Sequence, residues 1–308
     1  MLQLEDATRT FFHDDKNFDD RFYDIAHFDF IVTPVHVAAG TGNTALWKKL
    51  TKNLVEIQPI NKALGTPLHY AALHGHLDVS SLIINKIEDK NPRNFWGLTP
   101  LNYAARSGNL ELCQFIFEQI EEKYPYVCNK LSPDILECTL LHCAAIGGNV
   151  DVYKEIMKYT NDINPYAGGY VTALHVAAME GNLEVVKFIL SLVDDKDPLD
   201  IDGKTPLHVA AKKGNIEVVK FIMSLVDDKN PIDLNGETPL HEAAKEGNVE
   251  VVEFIMSLVD DKNPQDWYGE TPLLLATKEG HLEVVNIIKN ELYRGRQEQS
   301  ILGQNATN

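Results

Sequence analysis

A Thr-Pro-Leu-His-like segment begins at Thr33, Thr66, Thr99, Thr139, Thr172, Thr205, Thr238 and Thr271, and the starts lie 33 residues apart except for one interval of 40. The wording repeats along with the spacing: GKTPLHVAAKKGNIEVVKFIMSLVDDKNPIDLN at 203–235 is followed by GETPLHEAAKEGNVEVVEFIMSLVDDKNPQDWY at 236–268. A chain with such a period reuses one supersecondary unit, so its 308 residues do not carry the two-domain expectation that length alone would suggest.

Each unit reads as two short helices. Thr is a good N-cap, because its hydroxyl can accept an orphan amide of the first turn. Pro at the next position (Pro34, Pro67, Pro100, Pro206, Pro239, Pro272) suits a site that needs no donor. Leu and an Ala pair follow, small enough to let a neighbouring backbone approach. A Gly such as Gly214 or Gly247 closes the first helix in a left-handed turn, and the Asn or His after it is placed to cap the second. That second helix, E-V-V-x-F-I-x-x-L-V, carries one apolar stripe, and DKNP with D-x-x-G then forms a turn-rich link to the next Thr. Two short helices cannot bury that stripe alone, so stacking on neighbours must supply the core.

The period and the T-P-L-H-x-A-A-x-x-G then G-[HN]-L-E-V-V pattern resemble the ankyrin repeat over eight units. The resemblance implies an all-α repeat solenoid of helix–turn–helix units joined by short β-hairpin loops. The expected divisions are a leader or cap at 1–30, a divergent first repeat at 31–63, repeats at 64–96, 97–136 (with a seven-residue insertion), 137–169, 170–202, 203–235 and 236–268, a C-terminal capping repeat at 269–294, and a loose polar tail at 295–308. The leader is either an amphipathic helix, DDRFYDIAHF, covering the open end of the stack, or an unstructured segment. Asn102 and Leu274 replace the motif His in the third and last units. In the family this His bonds locally and to the adjoining turn, so Leu274 suits a unit with nothing beyond it.

Acids outnumber bases by 45 to 28, a formal net charge of −17, which disfavours nucleic-acid backbones and anionic membranes as partners. The start MLQLEDATRTFFHDD is acidic where a signal peptide is basic, and no apolar run approaches a membrane span. The expected setting is cytoplasmic, with the nucleus as the alternative, and the expected state is a monomer.

Chemistry-bearing motifs dissolve when set in the repeat frame. His36, His69, His142, His175, His208 and His241 recur at one position a full repeat apart, too far to converge on a metal. Cys128, Cys138, His142 and Cys143 lack the paired short spacings of structural zinc, and Cys113 and Cys143 occupy apolar slots, so buried free thiols are expected. DKDPLDIDGKT at 195–205 lacks the end carboxylates of a calcium loop, and AAGTGNTA at 38–45 echoes a dinucleotide loop without the strand that must precede one. No nucleophile elbow or phosphate loop is present, and the prediction is a non-enzyme with no cofactor, no metal and no small-molecule substrate.

Function is therefore expected on the variable positions of the repeat. Tyr70, Leu73, His74, Phe95, Trp96, Tyr103 and Arg106 in the second and third units, with Trp267 and Tyr268 at the last hairpin, are the candidate anchors for a protein or peptide partner. Residues 172–292 hold 23 acids and 11 bases, and their charged groove positions (Lys212, Lys213, Glu242, Lys245, Glu246, Lys278, Glu279) read first as a solvated surface. The leading expectation is an interaction scaffold. The alternative is an inhibitor or regulatory subunit that masks a basic segment of a transcription factor or phosphatase. The insertion at 121–138, with Tyr124, Pro125 and Tyr126, is either a further contact or a tolerated loop.

Overall fold

The computed structural model describes residues 33–54, 57–61, 65–120 and 138–305, without the side chains of 296 and 298–305. The leader and all of the insertion before Cys138 lie outside the described residues. Two compact units divide the chain, Met1–Asn161 and Asp162–Asn308. The described part of the first contains α1 (Pro34–Gly40), α2 (Thr44–Thr51), α3 (Pro67–Leu73), α4 (Leu77–Ile84), α5 (Pro100–Arg106), α6 (Leu110–Gln119), α7 (Leu140–Gly147) and α8 (Val150–Met157). The second contains α9 (Ala173–Met179), α10 (Leu183–Leu192), α11 (Pro206–Lys213), α12 (Ile216–Leu225), α13 (Pro239–Glu246), α14 (Val249–Leu258), α15 (Pro272–Glu279) and α16 (Leu282–Asn305). In each unit odd-numbered helices stack on odd-numbered ones and even on even, which gives a repeat protein of the all-α solenoid class.

The core follows the repeat text. Leu68, Leu101, Leu174, Leu207 and Leu240 of the motif are wholly buried, as are the Ala pairs that follow them. The second helices bury Val185, Val186 and Ile189, and their counterparts Val218, Val219 and Ile222, on the same stripe. Backbone packs closely against Gly147: a Cβ there would lie 2.5 Å from the carbonyl oxygen of Ala105 and 2.7 Å from that of Arg106.

Two sets of hydrogen bonds stitch neighbouring repeats together within each of the two units. In the first, the Thr backbone N–H donates to Nδ1 of the motif His, as at Thr205 and His208, 3.1 Å. The Thr hydroxyl sits 3.0 Å from the same nitrogen. The opposite ring nitrogen then reaches a carbonyl 29 residues on: His36 to Gly65, His69 to Leu98, His175 to Lys204, His208 to Glu237 and His241 to Glu270. A carbonyl only accepts, so Nε2 carries the proton and Nδ1 is left to accept. In the second set, the residue after the closing glycine reaches backwards. Asn215 Nδ2 donates to the carbonyls of Ala178 and Met179, Asn248 Nδ2 to those of Ala211 and Lys212, and His76 Nε2 to that of Gly40. These are end carbonyls of the preceding first helix, which lack intrahelical partners. The sequence reading of this Asn as a cap holds at Asn43, Asn109 and Asn149, whose Oδ1 accepts an amide of the second helix. Asn215 and Asn248 instead have no capping bond.

The hairpins are tight turns rather than paired strands; the β-structure among the described residues is one isolated bridge, Tyr166 with Thr172. The turns at Asn61, Asn94, Asp200, Asp233 and Asp266 are built by a carboxyl or amide oxygen, whereas the turn after Tyr166 carries Ala167 there instead. Asp233 Oδ1 accepts the backbone N–H of Asn235 and Glu237, and Asp200 and Asp266 do the same in their own turns. The acids of the calcium-like segment thus include a turn-builder, Asp200.

The last repeat ends with a polar outer face. Ala211 and Ala244, wholly buried, give way to exposed Thr277, and Met223 and Met256, 2% exposed, to exposed Lys289. The loose tail expected beyond residue 294 is corrected: α16 keeps helical backbone to Asn305, where Arg, Gln, Glu and Leu are good helix formers and no proline intervenes.

Replacing Gly147 with Ala is expected to destabilise the fold by about 1–3 kcal/mol, because two carbonyl oxygens would have to move; denaturant unfolding measures it. The motif histidines generate a second expectation. Burial lowers the pKa of His36, His69, His175, His208 and His241, with His69 and His208 at about 4. The unfolded chain therefore binds protons first, and this part of the stability is complete above about pH 6.5 and lost as pH falls towards 4. His69 and His208 each contribute on the order of 3 kcal/mol to that loss, so the urea midpoint should fall steeply between pH 6.5 and 4.5. Asp197 runs the other way. It stands where other loops carry Asn91, Asn164 and Asn263, which accept the backbone N–H of Leu101, Leu174 and Leu273. Burial, then Asp195 and Asp228, push its pKa up to about 6. Asp197→Asn should therefore raise stability at pH 7.5 by about 1 kcal/mol after allowance for partial exposure, an advantage that fades as pH falls from 6 towards 4.

Candidate interaction surface

The nine candidate anchors occupy three kinds of place. Tyr70 and Tyr103, at the position after the motif His, are packed into the repeat. Asn61 Nδ2 donates to the Tyr70 hydroxyl at 2.9 Å and Asn94 Nδ2 to that of Tyr103 at 3.1 Å. Each ring stands edge-on to the histidine of the preceding repeat, His36 and His69 respectively. Burial pushes the Tyr103 hydroxyl up to about 12, so it stays protonated. Leu73, Trp96 and Arg106 are half-buried, and His74 is exposed. Phe95, 53% exposed, meets the Trp96 ring edge-to-face. Trp267 and Tyr268, in the other unit, are 66% and 77% exposed. Phe95 and Trp267 hold the same place in the repeat frame, four residues before Thr99 and Thr271.

That place carries more than these two aromatics. Ile201 and Leu234 occupy it in the repeats before Trp267, and both are exposed, as are Leu199 and Ile232 two residues earlier in each turn. The turns are joined by main-chain bonds: Ile201 N–H to the Gly169 carbonyl, Leu234 to Asp202 and Trp267 to Asn235. Each apolar side chain lies against the preceding turn's glycine, where a Cβ on Gly236 would meet the Trp267 ring at 2.8 Å. The second unit therefore presents a continuous apolar ridge of turn tips. Single Ile and Leu residues do not stand out in the sequence; the signal that marks Ile201 and Leu234 is their 33-residue recurrence in register with Trp267 and at the place Phe95 holds.

One charged position departs from the sequence reading. Glu242, expected on a solvated surface, is buried, and its carboxylate is paired with the Lys204 ammonium. Asp233 Oδ2 and Glu237 Oε2 lie 3.6 and 3.8 Å from the same ammonium. Glu242 follows His241 as Tyr70 follows His69, and faces the turn residue Asp233 as Tyr70 faces Asn61. An Asp offers no donor, so a cation has to bridge the two acids. Burial opposes charge on both Lys204 and Glu242, but their attraction outweighs it, holding Lys204 above and Glu242 below their ordinary ranges. Burial, then Glu242, raises Glu237. The three carboxylates lie within metal-ligating distance of one another, and the lysine already sits among them. Lys213, Lys245, Glu246, Lys278 and Glu279 are exposed as expected.

The remaining chemistry is inward-facing. Cys113, Cys138 and Cys143 are free and buried, and burial raises all three thiols, Cys113 to about 12 and Cys143 to about 11, so none is a thiolate near neutral pH. Asn102 keeps the local half of the histidine's role, accepting from the Thr99 N–H, and donates from Nδ2 to the Cys143 sulfur at 3.6 Å. No described helix is long and apolar enough to cross a membrane.

A family model described as ankyrin repeats, three copies to a match, aligns with residues 35–127, 82–167, 121–197, 141–233, 174–266 and 223–295. No curated protein matches the chain. Ankyrin repeats are generally protein–protein interaction modules and typically non-catalytic. With matches running from residue 35 to 295 and the stitched helix pairs above, the chain belongs to the ankyrin repeat family.

Proposed function

We propose that this chain is a non-catalytic scaffold that binds a protein or peptide partner on its turn tips and first helices, acting as a monomer in the cytoplasm or nucleus. The observation that carries this reading is a division of labour. The motif histidines, the thiols and the Lys204 cluster are turned inward, while large apolar side chains are turned outward on the tips. Exposed aromatics of this kind are the usual energetic anchors of an interface. In the first unit the anchors are His74, Phe95, Trp96 and Arg106, with Leu73, Tyr70 and Tyr103 supporting them from within the repeat. In the second they are Trp267 and Tyr268. The acidic balance of the second unit favours a partner with a basic segment, which is the geometry an inhibitor-type subunit would use.

Affinity capture from a native lysate tests this with wild type, a Phe95→Ala/Arg106→Ala variant and a Trp267→Ala/Tyr268→Ala variant, each verified as folded by its melting curve. Loss of an anchor worth about 2 kcal/mol depletes a captured partner roughly thirtyfold. Identical captured sets from all three proteins would remove the turn tips from the interface.

A further inference from the structure

The interaction reading leaves the chemistry of the partner open, and the second unit restricts it. We infer that the ridge formed by Ile201, Leu234 and Trp267 docks an extended, polyproline-II-type peptide segment with an apolar residue at every third position and Arg or Lys between. This deepens the proposed function and rests on it.

Charge supports the basic half of the motif. The lysines of the turn-bearing links are all engaged. Lys196, Lys229 and Lys262 each donate to two backbone carbonyls at the end of the preceding helix, and Lys204 sits among Asp233, Glu237 and Glu242. Of the aspartates in the same links, Asp194, Asp227 and Asp260 recur every 33 residues and are exposed, as is Asp202 on the ridge beside Ile201, whereas Asp233 and Asp266 are buried in their turns. Within these links, positive charge is therefore spent on carbonyls and carboxylates, while Asp194, Asp202, Asp227 and Asp260 are left facing solvent. A surface of that kind complements a chain that is apolar and basic together.

Spacing supports the conformation. Stacked helices lie about 8–10 Å apart, which sets the step from Ile201 to Leu234 to Trp267. A polyproline II helix has three residues per turn and rises about 3.1 Å per residue, so one of its edges presents a side chain roughly every 9 Å. A β-strand presents one roughly every 7 Å on a face and drifts out of step within two repeats. An α-helix regains register only every seven residues, about 10.5 Å, and docks by laying its face in a groove, whereas these tips form a ridge. Exposed Trp267 and Tyr268 supply the aromatic contact that polyproline II segments favour.

The test uses the full chain and labelled synthetic peptides read by fluorescence anisotropy. The probe repeats Pro-Leu-Arg; the comparison peptides are a same-composition scramble, a Pro-Leu-Glu repeat and a basic amphipathic helix. We expect the probe to bind at least tenfold more tightly than each of the three, more weakly as salt rises, and about tenfold more weakly to a Leu234→Ser/Trp267→Ser variant. Both substituted side chains are mostly exposed, so the variant should keep its melting temperature. Leu282→Ser, an exposed side chain of α16 away from the turn tips, should leave probe binding unchanged. Equal binding of the scramble, preference for the helix or the acidic peptide, or an unaffected ridge variant would each overturn the assignment. Should capture succeed in the lysate experiment while the probe fails, the scaffold reading stands and the partner chemistry alone is wrong.

Discussion

Every unit of this chain is completed by its neighbour, and the bond that does most to complete it runs from a histidine. The ring at His208 accepts the Thr205 N–H on one side and donates to the Glu237 carbonyl on the other, so one side chain fixes the start of its own helix and the position of the next turn. Both functions require the neutral ring in one tautomer. Burial supplies the neutrality by disfavouring the charged form, and the two backbone partners supply the tautomer. Asn215 and Asn248 return the connection in the other direction, to carbonyls at the end of the preceding first helix. A stack made this way is held by contacts between adjacent repeats, so its stability is a sum of such neighbouring terms.

The repeat frame made the helices legible in the sequence because the same physical demands recur at fixed offsets. Thr and Pro open the first helix, Gly closes it, and the apolar stripe of the second has one place to go. What the frame did not disclose depends on which groups meet across 29 to 41 residues. Asn215 looks like a cap in isolation and is a stitch in the fold, and Glu242 looks solvated until Asp233 and Lys204 close over it. Tyr70 and Tyr103 read as anchors in the sequence because they are large and sit at a variable position, whereas their hydroxyls are held by Asn61 and Asn94. The anchors that stand out most from the surface, Trp267 and Tyr268, were legible because the hairpin position has no interior to fill.

The turn position and the position after the histidine are coupled. Where the turn carries Asn, its amide can donate, and a Tyr hydroxyl accepts, as at Asn61 with Tyr70. Where the turn carries Asp233, nothing donates, and the opposing residue is an acid only because Lys204 of the preceding turn reaches into the gap. At Asp200 and Asp266 the opposing residues are Val209 and Leu275, which ask for no partner. Three chemical solutions fill one site in the repeat, and the ionic one is sensitive to the loss of either charge, since removing Lys204 would leave buried carboxylates without a counterion.

The same economy shapes the outer surface. Helix ends attract cations, and the Lys196, Lys229 and Lys262 ammonium groups answer that attraction by folding back onto the last carbonyls of α10, α12 and α14. The adjacent aspartates gain nothing from the same carbonyls and point to solvent. A link written Asp-Asp-Lys, nearly balanced as text, thus becomes acidic as a surface, and it does so once per repeat. Negative charge on this unit is a consequence of how its helices end, and any partner that approaches the turn tips meets that charge before it meets the apolar side chains.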